Sequence, residues 1–223
     1  MATSTVEDYL KHIYLEQERS GGRLVPPGQI AQALGVAPGT VTSMMKALTE
    51  SGLVTYEPYS GVVLTAEGEK LATHVLRRHR LIELFLVRII GMDWTEVHQD
   101  AEVLEHVVSE RLLERMDEML GRPSVDPHGD PIPTPTGAIP EREHHNLLSC
   151  STDTDLRVAR VTDQRSEFLQ FLERHRLKPG SLIRVTDRNQ WTETVTVRPA
   201  HGTPLRLGFP AAGRILVEPS EGQ

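Results

Sequence analysis

Residues 26–54, PPGQIAQALGVAPGTVTSMMKALTESGLV, constrain the fold of this chain more than any other stretch. Two short segments with helical apolar spacing flank Leu34-Gly35-Val36. Ile30, Leu34, Val36, Val41, Met44 and Leu48 supply the apolar contacts. Ala31 is small where the two helices approach, and Gly35 can take the left-handed conformation that turns the chain between them. This is a helix-turn-helix pattern. The stretch that follows, LVTYEPYSGVVLTAEGEKLA, reads as a strand, a turn at Tyr59-Ser60-Gly61, a second strand, and a helix capped by Thr65. A helix-turn-helix followed at once by a hairpin is a winged helix.

Upstream, Ser4-Thr5-Val6-Glu7 has the form of a capping box, and Val6, Leu10, Ile13 and Tyr14 recur at helical spacing, so residues 5–19 are expected to be helical up to Gly21-Gly22. Downstream, helix is expected through THVLRRHRLIELFLVRII to residue 90, stopping at Gly91, and again over 94–120. The segment GRPSVDPHGDPIPTPTGAIPE, residues 121–141, is too rich in Pro and Gly for helix or central strand and reads as an ordered loop or linker. Then the period changes. DLRVARVTD, SLIRVTDR, TETVTVRP and GRILVEP are short strands interrupted by one helix, SEFLQFLERH, which suggests a small barrel of SH3-like size. The expected fold class is α+β, divided at residues 1–73, 74–122, 123–146 and 147–223.

Of the 223 residues, 38% are hydrophobic and 25% charged, the balance of a soluble globular chain. No apolar run reaches the roughly 18 residues of a membrane span, and MATSTVEDYLKHIY lacks the order of a signal peptide. A single cysteine, Cys150, excludes an internal disulfide. These features together predict a cytoplasmic protein. The net charge of −7 lowers the expectation of a nucleic-acid partner. Its distribution tempers that reading, because the acids crowd into residues 93–118 while Lys46, Lys70, Arg77, Arg78 and Arg80 stand among fewer of them. Bound divalent cations would also offset part of the charge.

Within that acidic region, HQDAEVLEH places His98, Glu102, Glu105 and His106 on one helical stripe, beside Val103, Leu104, Val107 and Val108. The preceding helix has its own pair, His79 and Glu83, on a stripe with Ile82, Leu86 and Ile90. Taken singly, each pair reads as a solvated i,i+4 contact. Taken together, two neighbouring helices carry six such groups in register, and helices packed antiparallel could gather them into one or two oxygen/nitrogen cages. Imidazole with carboxylate suits Mn, Fe, Co, Ni or Zn, and oxygen-rich cages favour harder ions. No thiol stands in the stripe, which argues against a structural zinc knot. Asp126, His128 and Asp130 in the Pro-rich segment read as turn residues, and His144, His145 and Cys150 lack zinc spacing.

In this order of parts the chain resembles the diphtheria toxin repressor family of metal-dependent transcriptional regulators. HRLIELFLVRIIG and VHQDAEVLEHVVSE carry the specific likeness, and the likeness extends over nearly the whole chain. The resemblance implies a primary, activating metal site of Glu102, Glu105 and His106 with Asp8 from the first helix. It also implies an ancillary site of His79, Glu83 and His98, to which the C-terminal domain adds Gln164 and Glu167, in the reverse of the order found in the iron-responsive branch. That branch has Cys where Glu102 stands and Met where Asp8 stands; the manganese-responsive branch has carboxylates at both. Hard oxygen ligands therefore favour Mn²⁺, with Fe²⁺ as the alternative, at two sites per subunit. Where the manganese branch often has a further Glu one turn after Asp8, this chain has Lys11.

The implied function is that of a homodimeric, metal-activated repressor of double-stranded operator DNA. Its recognition helix would span about residues 38–50, with Thr40, Thr42, Ser43 and Lys46 facing DNA, Pro38 touching thymine methyls, and Tyr59 and Ser60 at the wing meeting phosphate. A di-metal carboxylate enzyme is the rival from another class. It would want Glu-x-x-His on each of two helices, and Val103 stands where the second Glu would be. A winged-helix regulator of an organic effector is the other rival.

Overall fold

The computed structural model describes residues 3–58, 60–140 and 143–220. It has two compact units, one of residues 1–79, 105–108 and 133–139, the other of residues 80–104, 109–132 and 140–223. No helix among the described residues is long and apolar enough to cross a membrane.

The first unit opens with α1, Ser4–Ser20, which ends where Gly21 takes φ 69°. Its cap is Thr3 rather than Ser4. Thr3 is extended, and its hydroxyl accepts from the Val6 amide at 3.4 Å. Helices α2, Pro27–Leu34, and α3, Pro38–Glu50, each begin on a proline, whose missing N–H would have no partner in a first turn anyway. Between them Gly35 sits at φ 64°, the left-handed conformation that the turn demands. Strands β1, Val54–Glu57, and β2, Gly61–Leu64, pair antiparallel from Val54–Leu64 to Glu57–Gly61. Val25 adds a bridge to Val62. Leu10 and Ile13 of α1, Ile30 of α2, and Val41, Met45 and Leu48 of α3 are buried in one apolar cluster with Val54 and Val62. Met45, not Met44, is the fully buried methionine of α3.

Helix α4, Ala66–Phe85, is capped by Thr65, whose hydroxyl accepts from the Gly68 amide at 3.2 Å. It passes from the first unit into the second after His79. A π-helical turn, Leu86–Ile90, continues it to Gly91 at φ 83°.

The single helix expected over 94–120 is two helices: α5, His98–Leu104, and α6, Glu110–Met119. The break has two causes. Ser109 is extended and its hydroxyl accepts from the Leu112 amide at 3.3 Å, so it starts a new helix. Before it, Glu105 and His106 are engaged by side chains of α1.

The second unit carries a six-stranded antiparallel sheet in the order β3-β8-β4-β5-β6-β7, from His145–Asn146, Ile215–Pro219, Leu156–Val161, Leu182–Asn189, Thr194–Pro199 and Leu205–Gly208. Bulges bend β4 at Val158–Arg160 and β5 at Val185–Asp187. Along β6, Val195 and Val197 are buried while Thr194 and Thr196 are less so, the alternation of a sheet with one covered face. Helix α7, Ser166–Arg174, buries Leu169 and Leu172 in the same core, and α8, Phe209–Ala212, closes it with Ala212. The α+β architecture with an SH3-like C-terminal part is the one the sequence predicts. Part of the Pro-rich segment is held on β4: the His128 carbonyl accepts from the Val161 amide at 2.9 Å. Gly129, at φ 86°, lies so close that a Cβ would stand 2.0 Å from the Ala159 carbonyl oxygen.

Candidate metal centres

In the first unit, Glu7, Asp8 and Lys11 share one stripe of α1, three and four residues apart. The break after α5 brings Glu105 and His106 against that stripe. His106 Nε2 lies 2.9 Å from Asp8 Oδ1 and 3.5 Å from Glu105 Oε1, while Nδ1 lies 2.8 Å from Glu7 Oε2. Glu105 is fully buried; Lys11 Nζ donates to its Oε1 at 2.5 Å and His79 Nδ1 lies 2.6 Å from its Oε2. Asp8, Glu105 and His106 each offer a ligand atom within 4.8 Å of the others. Burial alone would lower the pKa of His106, but the hydrogen bond to Glu7 and the negative fields of Glu105, Asp8 and Glu7 outweigh it, and the net shift is upward. Glu7, which the sequence presents as a capping-box residue, is not among the ligands it predicts. Its signal was its position four before Lys11 and next to Asp8, on a stripe facing inward.

In the second unit the centre is Glu83, which is fully buried. Its Oε1 lies 3.2 Å from His98 Nδ1 and its Oε2 3.5 Å from His128 Nδ1. His128 Nε2 donates to the Trp94 carbonyl at 2.9 Å, which fixes the ring and aims Nδ1 at the carboxylates. Asp126 Oδ1 accepts from the amides of His128 at 2.8 Å and Asp130 at 2.9 Å. Glu83, Asp126 and His128, all buried, offer ligand atoms within 4.8 Å of one another. This arrangement strains its own charges. Burial, with Asp130 and Glu83 nearby, pushes the Asp126 carboxyl up to about 7, against the pull of His128 and Arg80. Burial works against a charged His128, yet Glu83, Asp126 and the Trp94 carbonyl raise it to about 9. A bound cation would relieve the same carboxylates. Asp126 and His128 are turn residues, as the sequence suggests, and ligand candidates as well. The missed signal was three possible ligands at alternate positions in DPHGD.

The other predicted residues are placed as follows. Glu102, half-buried on α5, lies 3.5 Å from His98 Nε2. Gln164 donates its side-chain amide to Asp130 Oδ2 at 2.6 Å, and Glu167 is exposed in the first turn of α7. Of the set His79, Glu83, His98, Gln164 and Glu167, Glu83 and His98 meet in the second unit and His79 meets Glu105 in the first. On α3, Pro38, Thr40, Ser43 and Lys46 are exposed, opposite buried Val41, Met45 and Leu48. Thr42 is half-buried; its hydroxyl and that of Ser43 donate back to the carbonyls of Pro38 and Gly39, at 3.1 Å and 3.0 Å. Ser60 at the wing is exposed, and Tyr59 lies outside the described residues.

Comparison with known proteins covers nearly the whole chain. Residues 1–62 match the iron dependent repressor N-terminal DNA binding domain, residues 65–134 the iron dependent repressor metal binding and dimerisation domain, and residues 145–219 the FeoA domain. The chain is 40% identical to the HTH-type transcriptional regulator MntR of Shouchella clausii over 120 residues, 54% of this chain and 82% of the relative. The MntR of Bacillus subtilis is 38% identical over the same shares. Among solved structures, a manganese-dependent transcriptional repressor in complex with manganese is 38% identical, with a TM-score of 0.84 over 95% of this chain and 98% of that one. The manganese regulator SloR is 32% identical, with a TM-score of 0.77 over 99% and 100%. These relatives are DNA-binding regulators and not enzymes, which leaves no place for the di-metal enzyme as a reading of the carboxylates. Domain matches, full-length identity and fold all converge: the chain belongs to the diphtheria toxin repressor family of metal-dependent transcriptional regulators, on its manganese-responsive branch.

Proposed function

We propose that this protein is a Mn²⁺-activated repressor that binds operator DNA in the cytoplasm as a homodimer, with Fe²⁺ as the competing ion. The observation that carries the reading is the meeting of Asp8 on α1 with Glu105 and His106 inside the unit that holds the winged helix. The donors fit a hard divalent ion. They are carboxylate oxygens and one imidazole nitrogen, with no sulfur, and His106 has its other nitrogen held by Glu7. Bound there, the ion supplies positive charge shared by Asp8, Glu105 and His106.

What the chain itself does follows from packing. Leu10 and Ile13 of α1 share one core with Val41 and Met45 of α3, so whatever fixes α1 against residues 105–106 also fixes the recognition helix. In a dimer, that sets the spacing of two recognition helices in successive major grooves. Exposed Ile89, Ile90, Val103, Leu112 and Met119 support self-association through the helical part. The division at 1–73, 74–122, 123–146 and 147–223 is part of the same proposal.

Glu102 joins the first site in this reading on its spacing of three and four from Glu105 and His106. A second ion would be centred on Glu83 with His98, extended by Asp126 and His128, whose buried carboxyls and oriented Nδ1 fit a cation. Fluorescence anisotropy with promoter DNA from a metal-uptake gene tests the function. Micromolar Mn²⁺ should tighten binding by about 100-fold, the scale of an effector coupling of a few kcal/mol. DNA binding that ignored the metal would overturn activation.

A further inference from the structure

Lys11 is 2% exposed, and its ammonium donates to Glu105, which is 0% exposed. Lysine is almost never buried without a partner, and a buried ion pair alone contributes little to stability. Its place inside the Asp8, Glu105 and His106 cluster therefore asks for a reason beyond stability. We propose that Lys11 is a built-in cation of the first-unit metal centre: it limits that centre to one divalent ion and lowers the affinity for that ion. The inference rests on the metal reading of the cluster given above.

The argument is one of charge. Three carboxylates meet there: Glu7, Asp8 and Glu105. Two fixed cations face them, Lys11 at Glu105 and Arg78 Nη1 at 3.5 Å from Glu7 Oε1. With neutral imidazoles, and with Glu102 counted as the proposed fourth carboxylate, the group carries four negative and two positive charges, a net of −2. One divalent ion neutralises it; a second would take it to +2 around a carboxylate that water does not reach. Paired metal ions sit roughly 3.5–4 Å apart, bridged by shared carboxylates. Here the ammonium already stands at one oxygen of Glu105, and His79 Nδ1 at 2.6 Å stands at the other. The Lys11–Glu105 pair also keeps that carboxylate aimed into the cluster whether or not an ion is present. Binding then requires little rearrangement, at the cost of repulsion between the ammonium and the incoming ion.

The test is Mn²⁺ binding to the full chain, by calorimetry and by the electron paramagnetic resonance signal of unbound Mn²⁺. The first-unit ions are those lost in His106→Ala. The wild type should hold one. Lys11→Arg, which keeps the charge, should match it. Lys11→Gln, which drops the charge but keeps a donor for Glu105, should bind about tenfold tighter or more. Lys11→Glu should admit a second ion, with the broadened resonance of a coupled pair. Unchanged affinity in Lys11→Gln together with no added ion in Lys11→Glu would overturn the proposal; if Lys11→Glu fails to fold, Lys11→Gln decides alone. A wild type with no His106-dependent ion speaks against the metal reading instead. In that case binding gained by Lys11→Glu would support Lys11 as the blocking cation, and no binding in any variant would overturn both.

Discussion

The two units gather similar groups and treat their charge in opposite ways. In the first, Glu105 is held by a lysine and a histidine, His106 is partly open, and Glu7 and Glu105 each have a fixed positive neighbour. In the second, Glu83, Asp126 and Asp130 crowd together with His128, and the proximity pushes Asp126 up to about 7. Arg80 reaches Asp126 only at 3.8 Å, and its guanidinium is also spent on the Pro131 carbonyl. Lysine and arginine offset most of the negative charge of the first cluster, whereas the second, even with Arg160 at Asp130, leaves Asp126 raised beside Glu83. The contrast teaches that ligand type alone does not set how a site responds to an ion; the fixed charges around it do.

The comparison can be broken by removing one ligand at a time. His106→Ala should have the largest effect, about a 100-fold loss of Mn²⁺-dependent DNA affinity by anisotropy, as removal of a centrally held ligand does. A smaller loss than from Glu83→Gln would reverse the proposed roles of the two sites. Glu102→Ala should weaken the same response about tenfold, while Gln164→Ala, whose amide serves Asp130, should change it by less than about twofold. Equal losses would contradict the division between activating and supporting residues.

Asp126→Asn sharpens the contrast from the side of folding. The asparagine oxygen can still accept from the amides of His128 and Asp130, and a carboxylate facing Glu83 and Asp130 is gone. With chelator present at about pH 8, urea denaturation should show a gain of about 1 kcal/mol. A loss would mean that attraction to Arg80 and His128 dominates the cluster. The smallest effect expected is a shift of metal preference. Glu102→Cys should raise the response to Fe²⁺ relative to Mn²⁺ by about threefold to tenfold, since thiolate is softer than carboxylate. An unchanged preference in paired titrations would count against the hard-ligand argument.

Much of this molecule was legible one residue at a time. The winged helix follows from Pro27 and Pro38 at helix starts, Gly35 between them, and apolar positions that face one core. Asp8, Glu105 and His106 were legible as ligand types, and the likeness to a known family linked them. The break between α5 and α6 was not. A periodic stripe runs through residues 98–106; Ser109 is a local signal for the start of α6, but nothing in the stripe itself places a stop at Leu104. Partners on α1 decided that, because Lys11 and Asp8 hold Glu105 and His106 off the helix. Asp126 and His128 were hidden by a good local explanation, the turn in which they do take part.

By itself, then, the chain of residues determined the elements, their order and the kinds of ligand available, since helix caps, turns and apolar periods act over a few residues. Only the tertiary structure decided which charges meet. Lys11 lies 94 positions from Glu105, and the energy of a buried charge depends on what surrounds it in space rather than on what precedes it in sequence.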